Sequence, residues 1–219
     1  MSSPYRTAGR AAILSGILGI LAFISLIGFL LIRDKDSQDG DLPIRVHDSL
    51  VIFQFLLLIP VAIALYQITQ HGTKRISQAM LQIGVGALCF TILFLLLIFP
   101  KILADTWYMF PQGIFGAWLF IACWRVKELI PQWLKWFGMI VGAGLVLVGL
   151  FPVGYAIFVD HIILDIPAPS DEEMSKIPTE NLANKVIHML LYIGSFTGVL
   201  TLPFWSILIG TKLLRFKIT

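Results

Sequence analysis

Charge is what this sequence has least of. Only 13% of its 219 residues are Asp, Glu, Lys or Arg, against about 25% in soluble domains, while 58% are apolar and the mean hydropathy is +0.87. A water-soluble fold of this size cannot hide that much apolar surface, so its solvent must include lipid. The net charge is +3, with no basic stripe interleaved with aromatics, which speaks against a nucleic-acid partner. Cysteine is nearly absent. Cys89 and Cys123 fall in different apolar runs at different depths, so they read as small buried hydrophobes, and a disulfide between them is not expected. No Lys, Arg, Asp or Glu lies deep in any apolar run. Ion-coupled transporters, proton pumps and many intramembrane proteases depend on such groups. Phosphate-cradling loops, dinucleotide fingerprints and a nucleophile elbow are missing as well. The sequence offers no catalytic residues and calls for no cofactor.

What it has instead is six apolar runs, at approximately 11–32, 49–69, 79–100, 107–124, 137–159 and 186–209. Each is long enough to cross about 30 Å of hydrocarbon at about 1.5 Å per residue, and in lipid such segments must satisfy their backbone hydrogen bonds internally, as helices. The expected fold is therefore all-α: a single polytopic domain over residues 1–219, with six transmembrane helices. The first run exceeds the about 7–15 residues of a signal-peptide core and lacks a cleavage site after it, so it reads as a retained span. The connections sort by charge. The N-terminus, the second and fourth connections and the C-terminus hold ten basic residues and one acid, Glu128; the other side holds six basic residues and twelve acids. The positive-inside rule then places both termini in the cytoplasm. Trp124, Trp133, Trp136 and Trp205 fall near the inner interface and Trp107 and Tyr108 near the outer one, where amphipathic rings settle.

On the outer side, residues 33–48 are rich in Asp and contain Gly40 and Pro43, and read as a solvated loop. Residues 160–185 are expected to be partly structured and to fold over the outer face. Ser170 to Glu173 has the pattern of a capping box, and Thr179 is placed to cap the last helix. Short inner connections favour antiparallel packing of spans 2 with 3 and 4 with 5. Gly138 and Gly142, extended by Gly149, put small residues on one face of span 5; Gly194 and Gly198 do so in span 6. The two faces are expected to pack on each other, since close backbone approach holds helices together where lipid gives no hydrophobic drive. A second use of such faces is homodimerisation. Pro60, Pro152 and Pro203 each interrupt a span and are expected to kink it.

The polar atoms at depth are uncharged. Most are expected to bridge helices, while Gln54 and Gln112 could line a small polar cavity toward the outside. One constellation stands at the outer interface: His47 and Asp48 before span 2, Asp105 before span 4, Asp160 and His161 after span 5, and His188 at the start of span 6. Imidazoles with a carboxylate can bind zinc if the helix ends converge, and His47, His161, His188 and Asp160 are the candidate ligands. No two of these histidines have ligand spacing on one helix. The expectation is that they do not converge and serve helix ends, backbone groups or water.

The opening YRTAGRAAILSGILGILAFISLIG and the stretch MFPQGIFGAWLFIACWRVKELIPQWLKWFGMIVGAGLVLVGL resemble bacterial six-span integral membrane proteins grouped as a family of unknown function. The second stretch holds the hairpin Arg125 to Gly138, with Pro131, Trp133 and Trp136. The resemblance implies a multi-pass location in a bacterial inner membrane and carries over no catalytic residue. The leading functional expectation is a non-catalytic accessory, interaction or small-ligand-binding bundle, whose partners are the lipid bilayer and another membrane protein or a second copy. The alternatives are a small-molecule transporter working across the Pro60 and Pro152 helices, because interrupted helices at matching positions of two halves point to transporter sites, and an outer-face metal-dependent hydrolase.

Overall fold

The computed structural model describes residues 4–32, 41–70, 75–126, 130–169, 173 and 181–215, and all regular structure among them is helical. α1 is Pro4–Ile32, α2 Asp41–Gln70, α3 Gln78–Ile98, α4 Met109–Arg125 and α5 Gln132–Phe158. A short 3-10 helix, His161–Leu164, follows. The last rod is α6, Leu182–Gly194, one π-helical turn at Ser195–Val199, and α7, Leu202–Leu214. Among the described residues five helices are long and apolar enough to cross a membrane: α1, α2, α3, α5 and the continuous rod Leu182–Leu214. This is the build of a multi-pass membrane protein. α4, with 17 residues, falls just short of that length.

The exterior carries the apolar surface that lipid requires. Leu14, Ile17, Leu21 and Ile24 on α1, Phe90, Leu93 and Leu96 on α3, and Leu150, Val153 and Ile157 on α5 all face outward and exposed. A soluble monomer does not expose so continuous an apolar belt. The helices form a ring in chain order. Each packs on its neighbour, α5 holds α6, the π turn and α7, and α7 returns against α1 to close the ring; α2 also touches α4 across the interior. Spans 2 and 3 pack together, as do α4 and α5.

Several helix ends extend beyond the apolar runs. α2 starts at Asp41, so Pro43, read as loop punctuation, sits in the first helical turn, where its missing N–H has no partner to lose. Ser77 caps α3 by accepting from the Met80 amide at 3.3 Å. The expected caps at Ser170–Glu173 and Thr179 fall on residues that, Glu173 apart, lie outside the described ones. The last helix is capped by Asn181, whose side-chain oxygen accepts from the Ala183 amide at 3.1 Å.

The glycine faces pair differently from the expectation. A Cβ on Gly142 would lie 2.6 Å from the Gly116 carbonyl oxygen and 2.8 Å from the Phe120 nitrogen, and one on Gly149 would lie 2.5 Å from the Gly113 Cα. These two glycines therefore seat α5 on α4. Gly138 is wedged between Cys123 of α4 and the Trp205 indole of α7. The last rod does lie on α5, but its Gly194 and Gly198 meet Gly144, Leu145 and Val148. The correction follows from geometry: Gly144 lies two positions past Gly142, about 200° around the helix, and so faces the other neighbour. Gly9 of α1 and Gly210 of α7 meet in the same manner, which brings the two ends of the described chain to one end of the bundle.

Three further expectations change. Trp205 is no interfacial anchor; it is 1% exposed, filling the space that Gly138 leaves, while Trp124, Trp133 and Trp136 are exposed. Cys89 lies on the exposed outer face of α3, and only Cys123 is buried; both are free. Pro60 and Pro152 lie inside α2 and α5, but Pro203 stands in the first turn of α7, just after the π turn. With no N–H on Pro203, the chain takes one wider turn, in which the Leu200 amide donates to the Ser195 carbonyl at 2.9 Å.

Candidate functional site

The ring encloses a cavity of about 400 Å³, within the size range of small-molecule sites. It opens at the end of the bundle away from Gly9 and Gly210, where α2 begins and α4 is entered. Its apolar wall comes from α1 (Ala22, Phe23, Leu26), α2 (Val51, Phe55) and the last rod (Val199, Leu202, Pro203). Polar groups stand at two levels. His47, Asp48, Asp105 and Tyr108 stand at the mouth, and Gln54 and Gln112 lie one to two helical turns further in.

α2 supplies His47, Asp48 and Gln54 on one inward stripe, since seven residues make about two turns. Gln54 is 6% exposed. Its backbone carbonyl accepts from the Ser15 hydroxyl at 3.0 Å, which ties α1 to α2, and its side chain runs past Gly19, where a Cβ would meet the amide nitrogen at 2.7 Å. Gly19 is therefore glycine so that α1 can approach the amide. Gln112 enters from the first turn of α4 and is 2% exposed. Among the described residues its side-chain oxygen has no hydrogen-bond partner. A buried amide oxygen without a partner costs about 1–3 kcal/mol, and among the described residues Gln112 is the one with such an atom that also lines the cavity.

At the mouth, His47 Nδ1 and Asp48 Oδ1 lie 2.9 Å apart. Asp105 reaches the same opening from the turn before α4. Its carboxyl is held above the ordinary carboxylate range, first by the protein packed around it and then by the like charge of Asp48, with His47 working the other way. No Lys or Arg is among the described residues that line the cavity.

The four candidate metal ligands do not come together. His47 is in the cavity mouth. His188 lies on the α5–α6 face, edge-on to Phe151 and Tyr155 at 5.5 and 5.9 Å between ring centroids, with Nδ1 2.9 Å from the Asn184 carbonyl oxygen. The His161 side chain is 85% exposed, and Asp160 is used as a cap, accepting from the Ile162 amide at 3.0 Å. Among the described residues no three His, Cys, Asp or Glu gather as a metal would require. Each histidine is the property of its own helix end, and the ring holds those ends apart. Their half of the outer constellation instead belongs to a brace. Ile163 packs with Phe151, Tyr155 and Ile187, and its carbonyl accepts from the Thr106 hydroxyl at 3.1 Å, so the 3-10 helix braces the turn that carries Asp105.

Pro60 and Pro152 do not line the cavity, whereas Pro203 does. The π turn it follows places Ser195 and Val199 on the cavity wall, and Ser195 and Phe23 also line a groove on the outside of the bundle. Those two side chains are the partition between the cavity and the bundle exterior. Sequence reasoning named Gln54, Gln112 and the His47–Asp48–Asp105 group separately. It read Tyr108 as an interfacial ring and Gly19 as a close-packing residue, not as parts of a cavity, and it missed the π turn, of which Pro203 gave a sign. No protein-family model, curated protein or solved structure matches the chain.

Proposed function

We propose that this chain is a six-span membrane protein, with both termini in the cytoplasm, that binds a small molecule in its interior cavity without transforming it. The observation that carries the binding reading is Gln112: an amide oxygen without a protein partner, 2% exposed, in a cavity of about 400 Å³. A ligand donor is the partner that position lacks. An apolar wall with a few placed polar groups is the usual make-up of a small-molecule site, and it fits a compact apolar body with one hydrogen-bonding head.

Six spans are supported by the place of α4 in the ring. It packs on α3 and α5, both long enough to span, and the meeting of Gly9 with Gly210 requires an even number of crossings between them. The ten-to-six distribution of basic residues supports a cytoplasmic position for that end. The likeness of the opening and hairpin stretches to bacterial six-span proteins supports an inner membrane. Single cysteines at Ser37 and Ser170 in a chain lacking Cys89 and Cys123 should react with an impermeant thiol reagent in intact cells, and one at Thr73 should not. Labelling at Thr73 alone would reverse the topology.

The binding reading is tested by thermal unfolding of the protein in lipid nanodiscs against phenylbutanol. A ligand that binds only the folded state raises the unfolding midpoint with the logarithm of one plus its concentration over Kd. Gln112→Leu removes the unpartnered oxygen at similar volume, so it should raise stability by about 1 kcal/mol and abolish the ligand-induced rise. An equal rise in wild type and variant would place the ligand elsewhere.

A further inference from the structure

The proposal that the cavity binds a small molecule leaves open what head group the molecule carries, and the mouth supplies the chemistry. Asp48 and Asp105 bring two carboxylates to one opening, and His47, which lines it with them, is already engaged with Asp48 at 2.9 Å. No Lys or Arg lines the cavity among the described residues. Asp105, itself exposed, is left facing a like charge across the opening. Below it the wall turns apolar, and the buried Gln112 oxygen is a second acceptor without a donor. The two carboxylates and this oxygen accept, so a ligand that completes them is a donor.

We propose, building on that binding reading, that the ligand is a lipophilic cation: a protonated amine on a compact apolar body. The ammonium lies between Asp105 and Asp48 and donates inward to the Gln112 oxygen one turn further in, and the body lies along Val51, Phe55, Val199 and Leu202. An ammonium supplies donors and no acceptor, which suits the two carboxylates and the unpartnered Gln112 oxygen. A carboxylic acid would add a third negative charge to the mouth. A neutral alcohol would satisfy an acceptor but leave the two carboxylates opposed.

The entry side is consistent with such a ligand. Phe23 and Ser195 form the thin partition between the cavity and the groove outside, which is lined by Tyr192, Ile193, Phe196 and Leu200. An amine dissolved in the bilayer, with its head at the interface, would stand beside that partition at the level of the mouth.

Three probes share one body: phenylbutylamine, phenylbutanol and phenylbutyric acid. Each is titrated against the full-length protein in nanodiscs, with empty nanodiscs subtracted to remove partitioning into lipid. The amine is expected to bind about tenfold more tightly than the alcohol, as charge-assisted hydrogen bonds exceed neutral ones, and the acid more weakly than either. Asp105→Asn should bring the amine to within about twofold of the alcohol measured on the same variant. His161→Ala, remote from the cavity, should alter none of the three. Should Asp105→Asn fail to fold, Asp48→Asn gives the same comparison from the other carboxylate. Equal affinity for the three probes, or a preference for the acid, overturns the cation and leaves the binding reading standing. Saturable binding by none of them overturns the binding reading, and the cation with it.

Discussion

Gly142→Leu and Gly149→Leu are each expected to destabilise the bundle by about 1–3 kcal/mol, through overpacking that no rotamer can relieve. At both positions the atoms that a new Cβ would meet are backbone: the Gly116 oxygen and the Phe120 nitrogen for one, the Gly113 Cα and the Met109 oxygen for the other. A flexible side chain can swing away, but a helix backbone moves only as a rod. To admit leucine, α4 and α5 must separate along their whole contact, which is among the most extensive in the molecule. In lipid that contact has no hydrophobic term to fall back on, since acyl chains solvate an exposed leucine as well as a neighbouring helix does; close packing and Cα–H contacts are what is lost. Gly86→Ala is the matched control. Nothing lies within 4 Å of its added Cβ, so stability should stay level or rise slightly. Reversible unfolding in mixed detergent micelles reads all three. A loss at Gly86→Ala equal to that at Gly142→Leu would mean that glycine acts here through the chain and not through the α4–α5 contact.

The pairing of those glycines also marks where sequence reasoning stops. That Gly138, Gly142 and Gly149 serve close packing follows from three small residues on one helix face. Their partner does not, because Gly113 and Gly116 sit in the run PQGIFG with a different spacing, and a stripe on one helix says nothing of which neighbour receives it. Long apolar runs fix helices, since lipid permits little else. Helix ends are less legible, because α2 gains its first turn from Asp41 onward in a segment whose composition is that of a loop. The cavity was half legible. Uncharged Gln54 and Gln112 inside apolar runs flagged a polar interior, while their meeting depends on ring order and on a glycine, Gly19, that makes room for one of them. Three interfacial histidines looked alike in the sequence, and only the ring's geometry separates the one in the cavity from the two outside it.

Gly84 and Trp118 offer the sharpest test of the ring's packing, because the two residues fit as a hole and a knob. Trp118 of α4 is 2% exposed and stacks on Phe115 at 5.8 Å between centroids, and a Cβ on Gly84 of α3 would lie 2.6 Å from its indole ring. Trp118→Ala should destabilise by about 2–4 kcal/mol. That lies at or below the about 3–5 kcal/mol of soluble cores, since in a bilayer the transfer from water drops out and the lost contacts and cavity remain. Gly84→Leu should destabilise by about 1–3 kcal/mol by driving a side chain into a flat ring that Phe115 holds in place. Each change supplies what the other lacks: the leucine fills the space left by the indole, and the missing indole admits the leucine. The double variant should therefore be more stable than the sum of the two losses by about 1–3 kcal/mol, a coupling that only residues in contact produce. Additive losses would separate α3 from α4 at this level. The ring would then open beside α4, whose first turn holds Gln112 in the cavity.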